Sequence, residues 1–215
     1  MMEFCKESMP EAEVTLRMAF RLMDCCGPGS CVETAIDGAH VRIREHHAKG
    51  SLIAEQRVFE VAGFLWEHNC DPSAETKDWQ GDYVRDGSGL KIKSQSGPDV
   101  QISLGNRRIS VECKGGPLKP IPGKSPNTIL TTAIGQILCS GDVAPGDELW
   151  VAVPDSPQFR QAAERVSRVL AFQKTGISLA VVGRDGCVHF ASKSDWVELD
   201  RFILLQHPES VSTYV

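Results

Sequence analysis

Residues 99–114, DVQISLGNRRISVECK, constrain the fold more than any other stretch of this 215-residue chain. Apolar and polar residues alternate on both sides of Gly105-Asn106, a dipeptide suited to a tight hairpin turn. Two strands joined so closely are antiparallel neighbours in one sheet, and their period of two fixes which side chains share a face. By that rule Glu112 and Lys114 project together while Cys113 points the other way. Asp99, at the start of the partner strand, reaches them at the open end of the hairpin. Two carboxylates and an ammonium therefore meet where an ordinary hairpin wants apolar or well-solvated side chains.

Carboxylates a few Å apart raise one another's pKa unless a cation lies between them. Hard oxygen donors of this kind suit Mg²⁺, with Mn²⁺ able to take its place. The Cys113 main-chain carbonyl offers one more oxygen, so the thiol need not take part. Lys114 stands where it can orient or deprotonate a water, or stabilise charge developing on a phosphate. Metal-assisted attack of water on a phosphodiester is the reaction that suits such a set.

The flanking pattern places this hairpin in an α/β layer structure with a mixed sheet. Residues 10–25 carry helical spacing up to Gly27-Pro28-Gly29, and 32–43 alternate around Asp37-Gly38 as a second hairpin. Residues 1–48 thus form a small N-terminal helix-and-hairpin arm, followed by a main domain over 49–215. The strongest helical pattern is 52-LIAEQRVFEVAGFLWEHN-69. Turning it by about 100° per residue sets Ala54, Val58, Val61, Ala62, Leu65 and Trp66 on one broad face. Glu55 falls on the rim of that face, between Ala62 and Trp66. A carboxylate there is costly unless paired or bound to a metal, which singles out Glu55 over Glu60. A polar loop is expected over 71–89, then a strand over 90–95, the hairpin, and a Gly/Pro-rich loop over 115–127. A helix over 128–140, a strand over 148–154, a helix over 157–173, strands over 177–182 and 187–191 and a C-terminal helix over 195–206 complete the pattern.

Pro98-Asp99, twelve intervening residues and Glu112-Cys113-Lys114 resemble the PD-(D/E)xK motif of restriction-endonuclease-like nucleases. The order of elements over 52–154 resembles the αβββαβ core of that superfamily, with a mixed central sheet flanked by helices. The resemblance implies that Asp99 and Glu112 bind Mg²⁺ and that Lys114 is the catalytic lysine. It also implies that the acidic residue of the preceding helix is Glu55 and that the glutamine of the following helix is Gln136. The tyrosine that some subfamilies carry four residues later is absent, since position 140 is Ser. The expected activity is that of a Mg²⁺-dependent DNA endonuclease, in defence against foreign DNA or in recombination and repair. A homodimer would cut both strands of a duplex, and a partner ATPase or defence-system subunit would fit such a role. The rival reading is an inactive nuclease-fold module that binds nucleic acid or a partner protein.

Charge and composition bear on the partner. The net charge of −5 argues against a protein that coats nucleic acid indiscriminately. Residues 91–124, however, hold seven Lys and Arg against Asp99 and Glu112, a balance of 7 − 2 = +5 that leaves −10 for the rest. Arg107, Arg108, Lys119 and Lys124 are the candidate phosphate contacts in this basic stretch. No apolar run approaches the about 18 residues of a membrane span. The N-terminus lacks the layout of a signal peptide, so the expected location is cytoplasmic. Eight scattered cysteines contain no C-x-x-C pair. In a reducing compartment they read as small core residues, with a metal cluster of Cys25, Cys26 and Cys31 as the minor alternative.

Overall fold

A computed structural model of the chain describes residues 7–38, 41–43, 46–47, 59–94, 97–123, 125–139, 143–192 and 195–206. Its frame is a mixed sheet of ten strands with helices on both faces. After a short strand β1 (Ser8–Met9), helix α1 (Glu11–Cys26) leads into β2 (Cys31–Ile36). Short strands β3 (Arg42–Ile43) and β4 (His46–His47) pair with each other. Then come α2 (Val61–Glu67), β5 (Asp71–Pro72), β6 (Gly81–Arg85), β7 (Ser88–Ser94), β8 (Val100–Leu104), β9 (Arg107–Cys113) and β10 (Gly116–Pro117). The second half holds α3 (Pro126–Cys139), β11 (Glu148–Pro154), α4 (Pro157–Ser167), α5 (Leu170–Gln173), β12 (Ser178–Val182), β13 (Val188–Ala191), β14 (Trp196–Glu198) and α6 (Leu199–Gln206). The order across the sheet is β14-β13-β12-β11-β9-β8-β2-β7-β6-β5.

The β8–β9 hairpin forms in the register that its alternation demands, with Val100 opposite Val111 and Leu104 opposite Arg107. Gly105 supplies the positive φ of the turn at +60°. Val100, Ile102, Ile109, Val111 and Cys113 are buried in the core beneath α1, so the opposite face carries Ser110, Glu112 and Lys114. β11 then pairs parallel to β9, as a strand returning through the crossover helix α3 must. Helices α3 and α4 cover the far face through Leu130, Ala133, Ile137, Phe159, Ala162 and Ala163, all buried.

The N-terminal segment is not set apart from this core. β2 pairs with β8 on one side and with β7 on the other, so the hairpin expected over 32–43 does not form. α1 is buried nearly all round because the sheet lies beneath it and α2 packs over it. Phe20 stacks on Phe64 at 5.4 Å, and the Arg17 guanidinium lies 5.1 Å from the same ring. Gly27 ends the helix with φ +71°, its N–H donating to Met23 O at 2.9 Å. The helix expected over 52–69 appears as α2 over Val61–Glu67, and residues 51–58, Glu55 among them, lie outside the described residues. The polar stretch 71–89 contributes strands β5 and β6, which bury Tyr83 on one face and leave Asp82 and Val84 exposed. The helix expected over 157–173 breaks into α4 and α5, and the expected C-terminal helix gives its first residues to β14.

Candidate functional site

The open end of the hairpin is tied by its own backbone. The Cys113 N–H donates to Asp99 Oδ2 at 2.7 Å, and the Asp99 carbonyl accepts the Ala35 N–H at 2.9 Å. Asp99 therefore joins the ends of β2, β8 and β9. The Lys114 N–H continues the parallel ladder by donating to Ala152 O at 2.9 Å. Beyond it the chain turns through Gly115 into β10, where Gly116 and Pro117 pair with Met9 and Ser8 of β1. That pairing carries the start of α1 across the end of β9.

Glu11 arrives at the site by this route. It is the first residue of α1, and its Oε2 lies 3.3 Å from Lys114 Nζ. Glu112 Oε1 lies 2.8 Å from the same nitrogen. The approach depends on Gly115, where a Cβ would sit 2.5 Å from Glu11 N and 2.8 Å from Met9 O. Two residues along, buried Glu13 anchors the helix: it accepts from Arg17 Nε at 3.0 Å and from both Nε and Nη2 of Arg184 at 2.9 Å. Arg184 also donates to Ser8 O at 3.0 Å, so one buried carboxylate fixes both β1 and α1.

The electrostatics of this end are those of crowded carboxylates. Burial pushes the Asp99 carboxyl well above the usual carboxylate range, and repulsion from Glu112 and Glu11 adds to it. Lys114 and the Cys113 N–H oppose the shift without cancelling it. Burial alone would lower the Lys114 pKa, but Glu11, Glu112 and Asp99 together outweigh it and raise it, so the side chain is held as an ammonium. Among the described residues, no three His, Cys, Asp or Glu side chains form a ready-made metal cage. The ammonium of Lys114 stands between Glu11 and Glu112. The carboxylate oxygens of Glu11, Asp99 and Glu112 are of the hard type that a divalent cation takes.

A cleft of about 450 Å³ opens beside Lys114 and Glu11. Ser8 to Glu11 form one wall, Gly115 and Gly116 lie at its base, and Ser125, Thr128, Ile129 and Thr132 at the start of α3 form the other. A narrow niche on the opposite side of Glu11 is bordered by Asp37 and Asp99.

The other expected site residues fall in different places. Gln136, one turn beyond Thr132, is exposed on α3 and does not line the cleft. Arg107 and Arg108 sit at the turn end of the hairpin, about 13–17 Å along the strand from Glu112 at about 3.3 Å per residue. Arg108 is also ion-paired with Asp147 at 2.7 Å. Lys119 is exposed on the loop that borders the cleft, whereas Lys124 lies outside the described residues. Lys93 pairs with Glu33, so several charges of the basic stretch are balanced by partners from other elements. Cys113 is fully buried, as alternation requires. Cys25 donates to Asp200 Oδ1 at 2.6 Å, and burial pushes the Cys26 thiol up to about 11, which does not favour thiolate ligands.

Glu11 was not singled out in the sequence because an acidic residue in a first helical turn is the ordinary sign of a helix start. Asp37 likewise passed as a turn residue. Compared with protein-family models, curated proteins and solved structures, the chain shows no match.

Proposed function

We propose that the chain is a divalent-metal-dependent nuclease of restriction-endonuclease-like architecture, hydrolysing phosphodiester bonds in DNA. The observation that carries this reading is the meeting of Glu11 and Glu112 on Lys114, near enough to Asp99 to act on its charge, at the end of β9 where a cleft opens beside Glu11 and Lys114. The topology is consistent with it. Taking α1, β2, β8, β9, α3 and β11 in order gives αβββαβ, with β2–β8 and β8–β9 antiparallel and β9–β11 parallel. On this reading the helix carboxylate is Glu11 rather than Glu55, and residues 37–98 are an insertion that widens the sheet.

Glu11, Asp99 and Glu112 would hold Mg²⁺ or Mn²⁺, with the Cys113 carbonyl on the Asp99 side of the strand as a further oxygen. A bound ion supplies Lewis-acid activation of water and neutralises charge on the phosphate. Lys114, held as an ammonium, then serves as a fixed positive charge for the developing phosphorane oxygens rather than as a base. Burial of its side chain strengthens that charge by excluding water. Two copies of the chain related by a two-fold axis would hold two such sites.

The test is incubation of plasmid, linear and single-stranded DNA, and of RNA, with Mg²⁺ or Mn²⁺. Wild type should cut DNA, and Asp99→Ala and Lys114→Ala should not; equal cutting by all three, or by none, overturns the assignment. A second reading, a nuclease-fold module without activity, draws on the Lys114 ammonium already compensating Glu11 and Glu112. The same assay separates the two.

A further inference from the structure

We propose that the cleft takes an unpaired strand of DNA, one nucleotide unit at a time, rather than a continuous duplex. The inference rests on the nuclease reading of the Glu11–Lys114 site and adds the substrate that site accepts. Three observations lead to it.

The first is shape. Duplex readers push a convex helix or ribbon into a major groove about 12 Å wide. Here the approach to Lys114 is concave, between the Ser8–Glu11 strap and the start of α3, and its volume is about 450 Å³. That lies in the range of small-ligand pockets, about 300–1,000 Å³, on the order of a single nucleotide unit. A strand whose bases are stacked and paired cannot be enclosed in it.

The second is charge. Among the described residues Lys114 is the one cation of the cleft lining, and Glu11 pairs with it. Lys119 is exposed on the bordering loop. Elsewhere in the basic stretch, Lys93 pairs with Glu33 and Arg108 with Asp147. The described surface around the site therefore lacks the run of cations with which a duplex binder neutralises about 6–10 phosphates.

The third is the character of the walls. Ser125, Thr128, Ile129 and Thr132 line the cleft together with Pro10 and Pro117. Such a mixed lining suits a nucleotide, which presents a sugar and phosphate along one edge and an apolar base face along the other. In a duplex that base face is covered by stacking.

The test combines binding and cutting with the full chain. Fluorescence anisotropy in EDTA would compare a labelled single-stranded oligonucleotide with its duplex over a series of salt concentrations. Cleavage of the same two DNAs would then be followed with Mg²⁺. The single strand should bind at least about tenfold tighter, and log K against log[salt] should slope by about −0.7 to −1.4, one or two phosphates at about −0.7 each. It should also be the DNA that is cut. Thr128→Trp, at an exposed helix position, should lose single-strand binding with an unchanged melting temperature. Ser125→Trp, on the loop instead of the helix, should do the same. Equal or tighter duplex binding, a slope steeper than about −4, or undiminished binding by both tryptophan variants overturns the inference. If the duplex is nonetheless cut in an Asp99-dependent way, the nuclease reading survives. If neither DNA is bound or cut, both fall.

Discussion

Gly115→Ala is the substitution whose consequence the structure fixes most closely. Its Cβ would stand 2.5 Å from Glu11 N, 2.8 Å from Met9 O and 2.9 Å from Pro10 C, against ordinary contact beginning at 3.4 Å. The nearest backbone atom must therefore retreat by about 3.4 − 2.5 = 0.9 Å. That atom belongs to the first residue of α1, and the helix is held from behind by Glu13 with Arg17 and Arg184. Overpacking against a fixed backbone costs about 1–3 kcal/mol, or about 2–12 °C of melting temperature for a domain of this size. The same movement carries the Glu11 carboxylate away from Lys114, and a displacement of about 1 Å costs on the order of 10²-fold in rate. Gly135→Ala is the matched control: it lies inside α3, nothing sits within 4 Å of its added Cβ, and alanine should stabilise that helix by about 0.5–1 kcal/mol. Thermal melts and rates of cutting single-stranded DNA by the two variants decide the matter. If Gly115→Ala melts and cuts like wild type, the close approach of α1 to β9 is not what positions Glu11.

Glu13→Ala leaves Arg17 and Arg184 without their shared buried carboxylate and should cost about 3–5 kcal/mol, read as a lower urea midpoint with an unchanged slope. Asp99 gives stability a pH dependence in the absence of metal. Its folded pKa lies above its unfolded one, so between the two the native state keeps a proton that the unfolded chain has lost. Stability should therefore fall as pH rises from the ordinary carboxylate range, about 3.9, through the folded pKa. Asp99→Asn should flatten that fall, and Mg²⁺ should reverse it in wild type; urea titrations across pH show either outcome directly.

Local features were legible in the sequence where they depend on neighbours along the chain. The β8–β9 register, the shared face of Glu112 and Lys114 and the inward Cys113 all follow from a period of two around one turn. β2 was misassigned because its partners come from 88–94 and 100–104, and nothing within 31–43 announces a strand flanked on both sides. Its two-sided burial of Val32, Thr34, Ala35 and Ile36 also blurs the alternation that marks an edge. Glu11 was hidden for a related reason: its contact with Lys114 is made by a strap folding back 103 residues later in the chain, 114 − 11. The basic balance of 91–124 overstated the charge available to a phosphate because Glu33 and Asp147 lie outside that window.

The central claim is that the helix carboxylate of the site is Glu11, brought to Asp99, Glu112 and Lys114 by the Ser8–Glu11 strap. It is tested most directly by Mn²⁺ binding, measured calorimetrically, and DNA cutting by Glu11→Gln and Glu55→Gln side by side. Glu11→Gln should weaken Mn²⁺ binding and lower cutting by about 10²-fold or more, while Glu55→Gln should match wild type in both. Normal metal binding and cutting by Glu11→Gln, with loss of both in Glu55→Gln, would contradict it.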